Sequence, residues 1–311
     1  MKAFRSFHTN FQVSLLNSRL KTMLPPQIAE LYPFSHNFFE TESGRIHYVD
    51  TGTGERGNVV LLHGNPSWSF LWRDLIKELS ARGFRCIAPD HIGMGLSDKP
   101  QKFLHLADRI AHVEALLAHL DIEKFSLCVH DWGGAIGSGV ATRSPEKIEK
   151  LVITNTAAFR SLNIPKRIAV CKIPVFGPFI VKAFNAFAWP ATFMSVRKKL
   201  SAAVKAGFLF PYRTFRSRTA VANFVRDIPL SPKHPTYATL SEIENALPRL
   251  AEKPMLIAWG GLDFCFDDTF FNGWKQRFPN AETLYTPDAG HYLLEDAGEK
   301  LVPAIADFLS R

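Results

Sequence analysis

Cysteine pairs, long apolar runs and, over two stretches, acidic residues are scarce in this 311-residue chain. Its four cysteines, Cys86, Cys128, Cys171 and Cys265, stand far apart with no CxxC pattern. Neither a zinc site nor a disulfide framework is expected, and a reducing, cytoplasmic setting is the default. No uninterrupted apolar run reaches the ~18 residues that span a bilayer, so no transmembrane anchor is expected. Acidic residues are missing before Glu30, where Lys2, Arg5, Arg19 and Lys21 stand among serines in a faint likeness to a transit sequence. A start at Met23, or a basic surface arm, accounts for that stretch better, and residues 1–30 are read as a basic, flexible N-terminal extension. Acids are scarce again between 159 and 235, where fourteen Lys and Arg face Asp227 alone. That segment carries +13 in a chain whose total is +8, leaving −5 elsewhere. Positive charge so confined argues against a nucleic-acid partner for the whole chain and points to one surface, suited to a membrane or protein contact.

What is present is an ordinary globular composition, 46% hydrophobic and 21% charged, enough to bury a sizeable core. Apolar, β-rich runs at 59–62, 84–88, 125–129, 151–154 and 255–259 alternate with segments of helical spacing such as 104–120. Strands that are apolar on both faces imply a mostly parallel sheet covered by helices on either side, with chemistry at the strand ends. Residues 38–41 and 45–50 flank a Glu-Ser-Gly turn and read as an antiparallel pair that starts the sheet. From 159 to 235 the strand rhythm stops: Pro165, Pro174, Pro178, Pro190 and Pro211 punctuate short helices rich in Phe. The expected architecture is α/β, with eight strands. Residues 31–158 and 236–311 form the core, 159–235 a helical cap, and 301–309 a last helix.

The run Leu127-Cys128-Val129-His130-Asp131-Trp132-Gly133-Gly134 takes a buried strand directly into small residues and a helix. It resembles the nucleophile elbow of α/β-hydrolases, with Asp131 where serine is usual and Val129 in place of the first glycine. His63-Gly64-Asn65-Pro66 ends the third strand, where a backbone N–H and that of Trp132 are expected to form an oxyanion hole. His291 follows the last strand. No carboxylate follows the sixth strand, in Asn155-Thr156-Ala157-Ala158-Phe159, whereas Asp263 follows the seventh and becomes the candidate to orient His291. An ionised Asp131 attacks an sp³ carbon without prior deprotonation and forms an alkyl ester. His291 then activates the water that hydrolyses it. Asn65 and Trp132 supply two uncharged N–H donors suited to a departing halide or carboxylate. The other histidines, His47, His105, His112, His119 and His234, read as structural, and His63 and His130 as braces of loops. Asp90 and Asp98 read as turn and cap residues.

Together, HGNPSWSF at 63–70, PDHIGMGLSDKP at 89–100, HDWGG at 130–134 and GHYLLED at 290–296 resemble the haloalkane dehalogenases. The pairing of Asp263 with Asn65 and Trp132 looks like their third subfamily. The chain is also similar to the β-lactone decarboxylases of bacterial long-chain olefin biosynthesis, particularly in NTAAF at 155–159, DIPLSP at 227–232 and DFCFD at 263–267. The resemblance implies catalytic Asp131, His291 and Asp263, substrate or halide contacts from Asn65 and Trp132, and neither cofactor nor metal. It implies a small hydrophobic substrate, halide as product in the dehalogenase reading, and a tendency to form homo-oligomers. Haloalkane dehalogenation is the first reading and β-lactone decarboxylation the alternative. Epoxide hydrolysis is a third, for which Tyr212 and Tyr237 would have to polarise the ring. Fluoroacetate dehalogenases place arginine after the nucleophile, and Trp132 stands there instead. A binding module without catalysis would be expected to have lost Asp131 or His291.

Overall fold

Aliphatic runs become interior strands where helices cover both faces of a sheet. In the computed structural model, which describes residues 24–311, eight strands pair into one sheet. The transit-like stretch and the alternative start at Met23 lie outside the described residues. The strands are β1 (Asn37–Thr41), β2 (Gly44–Thr51), β3 (Asn58–Leu62), β4 (Arg85–Pro89), β5 (Phe125–Asp131), β6 (Ile148–Thr156), β7 (Met255–Gly260) and β8 (Glu282–Thr286). Their spatial order is β1-β2-β4-β3-β5-β6-β7-β8. β2 runs antiparallel to both β1 and β4, and every other pairing is parallel.

Helices precede, separate and follow the strands: α1 (Pro26–Leu31), α2 (Arg73–Ala81), α3 (Leu106–His119), α4 (Trp132–Arg143), then α5 (Lys166–Lys172), α6 (Phe176–Phe184), α7 (Ala188–Met194), α8 (Ala202–Leu209) and α9 (Thr219–Arg226). After them come α10 (Pro235–Ala246), α11 (Asp268–Arg277) and α12 (Leu293–Ser310). Successive side chains on a strand point to opposite faces, so β3 sends Val60 and Leu62 into one core and Val59 and Leu61 into the other. The first core holds Ile110 of α3, Ile136 of α4 and Trp274 of α11. The second holds Leu75 of α2 and Leu301 and Ile305 of α12. All seven residues of β5 are buried, which fixes the position of its C-terminal end.

The segment α5 to α9 leaves the sheet after β6 as short helices. Pro178 and Pro190 fall in the first turns of α6 and α7, where a missing N–H leaves no helical bond unmade. Its single acid, Asp227, is fully buried and accepts hydrogen bonds from His105 Nδ1 at 2.7 Å and Thr236 Oγ1 at 2.6 Å, latching the end of α9 to the starts of α3 and α10.

Two boundaries differ from expectation. Residues 24–30 are no appended arm: Leu24 and Ile28 are buried with Tyr32 and Trp68 in the second core, and Tyr32 hydrogen-bonds Ser69 at 2.5 Å. Their basic neighbours masked this in the sequence. The last helix starts at Leu293 rather than 301, interrupted at Ala297 (φ −135°), because Leu293 and Leu294 pack into the second core.

On α12, Glu295 takes both guanidinium nitrogens of Arg73, at 2.5 and 2.8 Å, and each side chain is only 6% exposed. Removing one partner strands a buried charge. Glu295→Ala is expected to lower the unfolding free energy by about 3 kcal/mol in urea titration. Replacing both residues by apolar ones should recover most of that loss.

Candidate active site

Because β5 passes into α4 with no intervening loop, Asp131 itself must turn the chain, and it does so at φ 52° and ψ −125°. This is a strained region for a residue with a side chain, and the surroundings hold it there. The Thr156 hydroxyl donates to the Asp131 carbonyl. Two glycines permit the close approach: a Cβ on Gly133 would lie 2.1 Å from the Leu62 carbonyl oxygen, and one on Gly64 would lie 2.0 Å from Asp131 Oδ1. Val129, which departs from the usual elbow pattern, lies within the sheet, paired with Leu62 and Ile153, and its side chain packs against Gly137 of α4.

The Asn65 N–H donates to Asp131 Oδ1 at 2.6 Å, and the Trp132 N–H reaches the same carboxylate. Oδ2 is left 3.8 Å from His291 Nε2. His291 Nδ1 donates to Asp263 Oδ2 at 2.8 Å, which turns the Nε2 lone pair of the neutral ring toward Asp131. Asp263 Oδ1 accepts the Cys265 N–H at 2.6 Å. Sequence order and space therefore agree for the three residues expected to act together.

Burial pushes the Asp131 carboxyl up to about 6, against the pull of His291 and of the two backbone N–H groups. Burial by itself would lower His291, but Asp263 and Asp131 more than offset it and raise the imidazole above its ordinary value. Each of the two favours the charged form of the other across the 3.8 Å between them. Cys265 is driven upward by burial and by the charges of Asp263 and Asp131, so it lines the site as a neutral thiol. Asp263, Cys265 and His291 each bring a possible ligand atom within 4.8 Å of the others, but the carboxylate and imidazole are already joined by a hydrogen bond.

Asn65 and Trp132 border one cavity with Asp131. One amide N–H of Asn65 is not free as expected: Nδ2 donates to the Val221 carbonyl of α9 at 3.2 Å, leaving its second N–H for a ligand. Trp132 packs edge-on against Phe224, centroids 5.4 Å apart. His63 and His130 are braces, as expected. His63 Nδ1 donates to the Gly64 carbonyl at 2.8 Å and its Nε2 accepts the His91 N–H at 3.1 Å, while His130 Nε2 donates to the His291 carbonyl at 2.9 Å.

Two carboxylates do more than their sequence suggested. Asp90 is fully buried and accepts from Ser69 N–H, Leu96 N–H and His47 Nδ1, each at 2.8 Å. Burial would raise it, yet His47, His63 and the N–H donors hold it well below the usual carboxylate range. Asp296 accepts the N–H groups of Gly290, Arg197 and Lys198 at 2.7, 2.7 and 2.8 Å, tying the histidine loop to the segment after α7. Its place in GHYLLED was the available signal.

Two apolar cavities open from Asp131. One of about 130 Å³ runs past Trp132, Phe159, Val225, Leu240 and Phe270. Another, of about 190 Å³, runs past Cys171, Ala186, Pro190, Met194 and Phe264. Both are bordered by Asn65, Asp131, Ile168, Phe187 and Cys265, so they meet at the carboxylate as a fork.

An aspartate at a strand-to-helix elbow, a histidine after the last strand and an acid after the seventh define a class, and residues 57–298 match the α/β hydrolase fold: the chain belongs to that family. Within it, the chain is 42% identical over 293 residues to the cis-3-alkyl-4-alkyloxetan-2-one decarboxylase of Xanthomonas campestris, covering 90% of this chain and 97% of that one. Its counterpart in Shewanella oneidensis is 40% identical over 288 residues, covering 90% of each. Haloalkane dehalogenase 2 of Mycobacterium tuberculosis is 32% identical over 284 residues, covering 89% and 96%. Among solved structures, the haloalkane dehalogenase DatA from Agrobacterium tumefaciens superposes with a TM-score of 0.79 at 25% identity over 89% of this chain and 96% of that one. Both resemblances stated from the motifs, and the fold they implied, are thereby borne out, and these relatives are enzymes.

Gly64→Ala tests the close approach directly. The added methyl is expected to displace the Asp131 carboxylate and lower turnover at least a hundredfold, while overpacking costs about 1–3 kcal/mol of stability, read by thermal melts.

Proposed function

We propose that this protein decarboxylates cis-3,4-dialkyl β-lactones with Asp131 as nucleophile, in preference to the haloalkane dehalogenation that the motifs suggested first. The observation that carries this reading is the fork at Asp131: a lactone with two alkyl arms uses both cavities, whereas a simple haloalkane uses one. Identities of 40% and 42% to the decarboxylases, against 32% to the dehalogenase, point the same way. An epoxide is disfavoured, because Tyr212 is buried with its hydroxyl donating to the Ser67 carbonyl at 3.2 Å and neither Tyr212 nor Tyr237 borders the cavities. Four free cysteines fit a cytoplasmic setting, and among the described residues no helix is long and apolar enough to cross a membrane.

In this reading Asp131 Oδ2 attacks C4 of the oxetan-2-one, the C4–O bond breaks, and the ring oxygen departs as a carboxylate. The free amide N–H of Asn65 and the indole N–H of Trp132 take up that charge, while Oδ1 becomes an ester carbonyl held by the backbone N–H groups of Asn65 and Trp132. The bond from C3 to the carboxylate then breaks, and its electron pair forms the C3–C4 double bond. The C4–O bond to Asp131 breaks in concert, and Asp131 leaves as the carboxylate it was. Carbon dioxide and an alkene result, no water is consumed and no proton is transferred. His291, oriented by Asp263, steadies the departing carboxylate. On a haloalkane the same ester needs water, activated by His291, to release alcohol.

Isotope labelling separates the two routes. After turnover in heavy-oxygen water, mass spectrometry of the peptide containing Asp131 should show no label with a dialkyl β-lactone, whereas hydrolysis of an ester would place solvent oxygen in the side chain. Asp131→Asn should abolish both reactions. His291→Ala should accumulate an alkyl ester from a bromoalkane but none from the lactone. Asn65→Ala and Trp132→Phe should each lower turnover about a hundredfold, roughly 3 kcal/mol of lost charge stabilisation. Near wild-type rates in both would remove the donor assignment.

The pH profile follows from the two titrating groups. Asp131 is nucleophilic only when ionised, and its raised value means that activity is present above pH about 6 and falls about tenfold per unit below it. Lactone turnover should not rise as His291 loses its proton, because no base is required. Bromoalkane hydrolysis should keep rising through the raised His291 value, because only the neutral ring accepts a proton from water. A lactone profile that climbs through the same region would contradict the water-free route.

A further inference from the structure

Ten of the eleven large apolar side chains exposed among the described residues lie between 159 and 235. They are not scattered. On α6, Phe179 and Phe184 are 54% and 70% exposed with ring centroids 6.0 Å apart, and on α7, Trp189 and Phe193 are 50% and 51% exposed with centroids 5.0 Å apart. Phe215, 48% exposed, joins the α6 side: Lys182 Nζ lies 4.4 Å from its ring centre, and Arg218 Nη1 donates to the Lys182 carbonyl at 2.8 Å. An apolar face this concentrated marks an interaction surface rather than ordinary exposure.

Cations surround the rings. Of the fourteen Lys and Arg in this segment, Arg160 alone pairs with a carboxylate among the described residues, that of Glu244. The same face adjoins the fork. The loop between α6 and α7 contributes Ala186 and Phe187 to the larger cavity, while Phe184 and Trp189 on either side of it are exposed. Beyond that cavity lies a wider opening of about 460 Å³ that shares Arg167, Met194 and Phe264 with it and adds Lys166, Arg197 and Phe193. An apolar passage thus reaches the surface between exposed rings and unpaired cations.

We infer that this face docks the protein onto a bilayer carrying anionic phospholipids, with the rings of α6 and α7 set among the headgroups and the passage to Asp131 opening toward the lipid. Rings alone would equally suit a protein partner. The unpaired cations around an apolar passage favour lipid, whose anionic headgroups and acyl layer match both features at once. Docking does not depend on which reaction Asp131 performs.

Co-flotation of the full chain with vesicles tests this. Strong binding is expected to vesicles of phosphatidylcholine mixed with phosphatidylglycerol, at least tenfold weaker binding to phosphatidylcholine alone, and a steep loss as salt rises. Phe179→Ser/Phe184→Ser should weaken binding by about tenfold or more. Arg213→Gln/Arg216→Gln, at the exposed arginines on either side of Phe215, should weaken it about twenty-fivefold, at about fivefold for each cation near an anionic surface. Both variants should keep the melting temperature and the turnover of a short, water-soluble substrate. No binding to the anionic vesicles at low salt, or equal binding to both kinds, would overturn the inference. So would light scattering that shows a dimer which the aromatic variant dissociates while vesicles fail to bind.

Discussion

A carboxylate kept nearly dry at the end of a β-strand is the constraint on which the site depends. Desolvation raises the energy of the charged form of Asp131, and the surrounding groups return only part of that energy: two backbone N–H groups on one side and His291 on the other. A carboxylate in water is a poor nucleophile because its hydration must be stripped first; here folding has already stripped it. The strained elbow, the glycines at 64 and 133 and the fully buried β5 all serve that one placement.

Much of this was readable from the chain because it depends on local order. Strands apolar on both faces have few structural alternatives, and the positions of Asp131, Asp263 and His291 follow from counting strands. Readability failed where a residue acts through partners distant in sequence. Asp90 looked like a turn former because its surroundings, Pro-Asp-His-Ile-Gly, are turn-like, and nothing local shows that it lies buried against His47. Asp296 reaches across 99 positions to Arg197. Leu24 and Ile28 were hidden behind basic neighbours although their own side chains are apolar and buried. Asn65 was read as a free donor, and only the folded chain shows half of its amide committed to Val221.

The bond from Asn65 to Val221 also joins two parts that the sequence treats separately. The donor expected at the leaving group is held by a carbonyl on α9, and α9 is in turn anchored through buried Asp227 to His105 and Thr236. The helices over the sheet therefore set the polarity of the site as well as its walls. Charge and shape are controlled from the same elements.

Ile168 and Phe187 stand where the two cavities meet, and neither belongs to the hydrogen-bonded triad. They form a partition in a small antechamber. Enlarging or trimming a partition redirects traffic without altering the reacting groups, so a lineage with this architecture can exchange a two-tailed guest for a single-tailed one by drift in the partition. Under the proposed reaction, divergence between lactone-opening and halide-releasing descendants requires no invention at Asp131, only a change in which rooms are furnished.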